Sequence, residues 1–83
     1  MVVDVWDEIG EVWSSFDLDL PDDCRDPELI NLAVGNKVAE SEDGDGWDVV
    51  SYSQAGPLLI IETRSDRNHL AVIVVGHKSS RLA

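Results

Sequence analysis

Basic residues are few in this chain, and fewest where acid is densest. The 83 residues hold 6 Lys and Arg against 17 Asp and Glu, a formal net charge of −11. Residues 1–48 carry fifteen of the acids, opposed only by Arg25 and Lys37, for a net −13. Residues 49–83 carry Glu62 and Asp66 against Arg64, Arg67, Lys78 and Arg81, for a net +2. A pole of this strength repels nucleic acid and anionic membrane and attracts basic surfaces. Cysteine is nearly absent too. The single Cys24 excludes an internal disulfide and fits a reducing, cytoplasmic compartment. Its neighbours Asp22, Asp23 and Asp26 disfavour a thiolate. One Cys and the two histidines, His69 and His77, cannot close a four-ligand zinc site without carboxylates. Gly44 and Gly46 sit among carboxylates that would repel phosphate, so no phosphate-binding loop is expected. The longest apolar run, Leu70 to Val75, is far too short to cross a bilayer. Met1 to Asp4 lacks the basic stretch of a signal peptide.

What is present is enough for one small core. At this length residues 1–83 are expected to form a single acidic α+β domain that buries about two thirds of its unfolded surface. A hydrophobic share of 43% and three Trp argue against disorder despite the charge. Self-repulsion among the acids should weaken the fold at low ionic strength.

Val2, Trp6, Ile9, Trp13 and Phe16 recur at steps of four and three, the spacing of one apolar stripe on a helix. Asp4, Glu8 and Glu11, with Asp7 beside them, follow the same period on another face. Asp17 to Leu20 alternates as a short edge strand would, until Pro21. Asp26 and Pro27 are an N-cap and a first helical residue, and predict a second helix reaching about Ala39. Gly35-Asn36 is the alternative stop, which would leave residues 37–41 to pair as a strand. Three strand-like runs follow the turn-rich residues 42–46: Trp47 to Ser53, Leu58 to Thr63 and His69 to Val75. Their short connections predict an antiparallel meander. The expected fold is thus two N-terminal helices packed on a three- or four-stranded antiparallel β-meander. Leu58 to Ile61 and Leu70 to Val75 are apolar at both alternating positions, where a sheet with one wet face would alternate. Two helices cover one face, so the other should meet another chain, a partner or a second copy.

No catalytic or cofactor signature emerges. Counted from Asp43, an EF-hand loop would need a ligand at Trp47 and a bidentate Glu at Gln54, so the calcium pattern fails. Ser65, Asp66 and His69 lie within one tight turn, whereas triads are assembled across a fold. The acidic stripe has more content. Carboxylates on successive helical turns lie about 5.4 Å apart, and duplex DNA carries a phosphate every 3.4 Å or so per strand. Such a stripe would imitate a charged backbone. Asp4, Asp7, Glu8, Glu11, Asp43 and Asp45 are therefore the candidate partner-binding residues, with Trp47 as an aromatic anchor.

Leu20-Pro21-Asp22-Asp23 and Gly35-Asn36-Lys37 resemble segments of the small phage inhibitors that mimic DNA. Their spacing here is longer, and the inhibitors' Glu-Ser-Ile contact motif has no counterpart, so no contact residue carries over. Gly56-Pro57-Leu58 through Leu70-Ala71-Val72 is similar to the closing strands of roadblock-type dimeric modules. The first half lacks that family's opening hairpin. The expected function is a non-enzymatic acidic binding module, an inhibitor docking on the basic groove of a nucleic-acid-handling protein. It needs no cofactor or metal and contacts neither nucleic acid nor membrane. The alternative is a scaffold or signalling module that self-associates through its sheet, its acidity reflecting a saline cytoplasm.

Overall fold

The computed structural model describes residues 1–41, 47–65 and 67–76. Strands β1 (Val2–Asp7) and β2 (Val12–Asp17) come first, followed by helix α1 (Pro27–Ser41). Strands β3 (Trp47–Ala55), β4 (Leu58–Ser65) and β5 (Leu70–Val75) complete the order. The five strands form one sheet in the order β2-β1-β5-β4-β3, and every neighbouring pair is antiparallel.

The expectation of two helices on a three- or four-stranded meander is corrected by this arrangement. Among the described residues there is one helix, and the sheet has five strands, because residues 2–17 form a β-hairpin. The reason is visible in the register. Val3 faces Phe16, Trp6 faces Trp13 and Asp7 faces Val12, so the apolar residues are disposed in near mirror order about Ile9-Gly10. The seven-residue spacing of Trp6 and Trp13 also satisfies a helical stripe. The β-branched and aromatic content of the segment favours a pleated surface, and pairing with β5 decides between the two. The loop of the hairpin is locally encoded. The Asp7 carbonyl accepts from the Glu11 amide at 2.8 Å, and its Oδ1 accepts from the Ile9 amide at 2.9 Å, the side-chain turn that Asp forms readily. Glu11 takes a left-handed φ of 51°.

The expected edge strand at 17–20 is also corrected. Asp17 ends β2, and Leu18, only 2% exposed, turns into the core. Helix α1 starts where Asp26 and Pro27 predict. Asp26 Oδ1 accepts from the Glu28 and Leu29 amides at 3.1 and 3.4 Å, satisfying donors that the first helical turn leaves open. It continues through Gly35-Asn36 to Ser41, which removes the alternative of a strand there. The meander of β3, β4 and β5 follows the expected runs. Its first turn, Gly56-Pro57, has Gly56 at φ 61°, which a two-residue hairpin with glycine in first position requires.

Strand pleating puts the core on one face. Val3 and Val5, Leu59, Ile61 and Thr63, and Ala71, Ile73 and Val75 are all buried and alternate with more exposed neighbours. Ile30 and Val34 of α1 are fully buried against this cluster, and Phe16, Leu20, Cys24, Trp47 and Val49 pack at its margin. Each fully buried Ile or Leu contributes about 1.5–3 kcal/mol. Thr63 satisfies its hydroxyl inside the core by donating to the Ala71 carbonyl at 2.8 Å. The loop after β2 therefore folds onto the helix side, leaving the opposite face of the sheet without a second layer among the described residues.

Candidate functional site

That opposite face is the surface with the most chemical content. Antiparallel register places directly opposed residues on the same side, so its rows can be read across the sheet. One row runs Trp13, Trp6, Val72, Glu62, Ser51 and the next Ser15, Asp4, Val74, Ile60, Ser53. Trp13 is 57% exposed and Ile60 39%, while Trp6, Val72 and Val74 are half-buried by one another. Val2, Leu58 and Leu70 extend the apolar area along β1, β4 and β5. The doubly apolar pattern of β4 and β5 is thereby accounted for: one set of side chains is core, and the other floors this open face.

Carboxylates lie within the apolar floor, at Asp4 and Glu62, and at its margins, at Asp17 and Asp48. Asp4, Asp17, Glu62 and Asp48 project on the same side by register, with Arg64 facing Asp48. Ser15 Oγ donates to Asp4 Oδ1 at 2.8 Å, and Ser51 Oγ to Glu62 Oε1 at 3.2 Å. Residues 1–24 contain eight carboxylates and no Lys, Arg or His; the Met1 ammonium lies 3.5 Å from Asp17 and 3.6 Å from Asp22, so the β1–β2 side keeps a net negative charge.

The residues singled out from the sequence do not form the helical row expected of them, since no helix exists there. Asp4 lies on the open face, and Asp7, three residues on, points to the other side. Asp7 holds the hairpin loop together. Glu8 clamps the loop to β5: its amide donates to the Leu70 carbonyl at 3.0 Å, and its Oε2 accepts from the Leu70 amide at 3.1 Å. Glu11 is exposed at the loop's left-handed position. Trp47 is half-buried on the helix side at the start of β3 and packs against the core. Its carbonyl accepts from Asn31 Nδ2 at 2.8 Å. Asp43 and Asp45, like the failed calcium pattern at 43–46, lie outside the described residues. The sequence pattern set Trp13 on the apolar stripe of a helix; Ile60, Val72 and Val74 fall within the late strands whose second apolar face was expected to meet another chain, but were not singled out as contact residues.

No group of three or more metal-ligating side chains converges among the described residues. A depression of about 260 Å³, lined by Leu18, Asp19, Ala33, Asn36 and Lys37, is smaller than ordinary small-molecule sites of roughly 300–1,000 Å³. Among the described residues, no helix is long and apolar enough to cross a membrane. Compared with known protein families, curated proteins and solved structures, the chain matches none.

Proposed function

We propose that the protein is a non-enzymatic binding module that docks the open face of its sheet on a basic protein surface. The observation that carries this reading is the apolar floor of Trp6, Trp13, Val72, Val74 and Ile60, interspersed with the carboxylates of Asp4 and Glu62 and bordered by those of Asp17 and Asp48. Apolar patches rimmed by polar groups mark contact sites, with exposed Trp the commonest energetic anchor. These carboxylates select the partner. A second copy would set Asp4, Asp17, Glu62 and Asp48 against the same groups at −11 per chain, and like charges brought together cost affinity. A Lys- and Arg-rich surface gains from the same carboxylates and is steered towards them. Nucleic-acid-handling proteins offer such surfaces, and the module would act by occupying one. The single Cys24 suits a cytoplasmic setting.

The test is affinity capture with the wild-type chain and with Trp13→Glu and Ile60→Glu, two exposed positions whose replacement leaves the core intact. The reading expects net-basic proteins on the wild type, lost on both variants and weakened as salt rises. Capture unaffected by either variant would overturn it.

A further inference from the structure

We infer that β2 is an open edge that accepts an extended, cationic segment of the partner as a sixth strand. This rests on the binding-module reading and specifies how the partner is engaged.

The argument starts from ladder parity. The Leu18 amide donates to the Met1 carbonyl at 2.6 Å, and the Met1 nitrogen donates to the Leu18 carbonyl at 2.9 Å. Residues 1 and 18 are therefore a hydrogen-bonded pair. Bonded and non-bonded pairs alternate along an antiparallel ladder, so Val3–Phe16, Val5–Ser14 and Asp7–Val12 are bonded as well. The N–H and C=O groups of Trp13, Ser15 and Asp17 must then point away from β1. The Glu8 amide bonded to the Leu70 carbonyl gives the same parity from the other side of β1, where even-numbered residues face β5. Since β2 ends the sheet, those outward groups form an edge that is unpaired among the described residues.

The two edges of this sheet are not treated alike. On β3 the register shifts between Val49 and Ser51, and Asn31 occupies the outward carbonyl of Trp47. A bulge and a covering helix are devices that block strand addition. On β2 the register is continuous, with no Lys, no Pro and exposed side chains from Val12 to Ser15. An edge left in this state is a template for β-augmentation.

Charge selects the occupant. Edge-to-edge pairing of two copies would join two segments with eight carboxylates each and no Lys, Arg or His, where the Met1 ammonium, 3.5 Å from Asp17 and 3.6 Å from Asp22, offsets only part of the charge. An incoming strand with Lys or Arg at alternate positions instead places its cations over Trp13 and beside Asp17, which share one side of β2. Both contacts are favourable, cation–π at the first and ionic at the second.

The probe is a peptide of alternating Lys and Val, about ten residues long and so able to span an ordinary strand. Hydrogen exchange at the amides of Trp13, Ser15 and Asp17 should slow about tenfold or more on its addition, as newly bonded amides do. Ser15→Pro removes an outward N–H and no internal ladder bond, a placement that edge strands tolerate, and should abolish that protection in its neighbours. The same peptide N-methylated at alternate residues tests the point on the wild-type chain. Unchanged exchange at these three amides, or equal binding by Ser15→Pro and the N-methylated peptide, overturns the inference. Equal binding of a Glu–Val peptide overturns its charge selection, and self-association protecting the same amides replaces the partner by a second copy. Peptide-induced shifts confined to Trp6, Val72 and Val74 would sink the edge while leaving open-face docking intact. Loss of protein capture by Ile60→Glu with edge protection retained separates the two in the opposite sense.

Discussion

Trp6 and Trp13 face each other across β1 and β2, on the side of the sheet that α1 does not cover. Ladder parity makes them a non-hydrogen-bonded pair, the kind whose side chains approach most closely. Trp6 is half-buried between Trp13 and Val72, whereas Trp13 is 57% exposed. The two rings should therefore separate stability from binding. Trp13→Ala is expected to lower stability by about 1 kcal/mol or less, the range of a cross-strand pair, yet weaken partner binding about tenfold or more, as an anchor should. Trp6→Ala should cost about 2–3 kcal/mol through lost burial. Urea midpoints and titration calorimetry check the pair.

Gly76 and Gly56 both have positive φ, 87° and 61°, but only one is confined. A Cβ at Gly76 would lie 2.2 Å from the Pro57 carbonyl oxygen, and one at Gly56 would meet nothing within 4 Å. Gly56→Ala should cost about 1–2 kcal/mol, the left-handed penalty alone. Gly76→Ala must also displace backbone and should cost about 3 kcal/mol or more. Thermal unfolding of the two variants should rank them in that order.

Glu11 occupies a left-handed conformation without glycine or asparagine chemistry. Replacement by Gly relieves about 1–2 kcal/mol of strain and returns about 0.5–1 kcal/mol as entropy of the unfolded chain. Glu11→Gly is thus expected to raise stability by about 0.5–1 kcal/mol, read as a higher urea midpoint at unchanged slope.

Asn31 is 8% exposed, and its Nδ2 holds the Trp47 carbonyl. Asn31→Ala leaves that carbonyl without its side-chain donor and should cost about 1–3 kcal/mol. Faster exchange at the N-terminal amides of β3 should accompany the loss.

The helix and the late strands were legible because their signals are local. Asp26-Pro27 marks a helix start, and Gly56-Pro57 separates two runs rich in β-formers. The hairpin was not, because Trp6 and Trp13 satisfy a helical period and a mirror-ordered hairpin equally well, and only the distant β5 breaks the tie. The same misreading set Asp4 and Asp7 on one face, where the pleat sends them to opposite sides. The open face was legible in outline, from side chains apolar on both sides of Leu70 to Val75. Its aromatic centre was not, since Trp13 reaches it only through the hairpin.

Site-specific photocrosslinking tests the central claim most directly, with a photoreactive residue at Ile60 on the open face or at Leu32, exposed on α1. The account expects a net-basic protein crosslinked from Ile60 and not from Leu32, with the yield falling as salt rises. Equal crosslinking from both positions, or a partner without a basic surface, would contradict it.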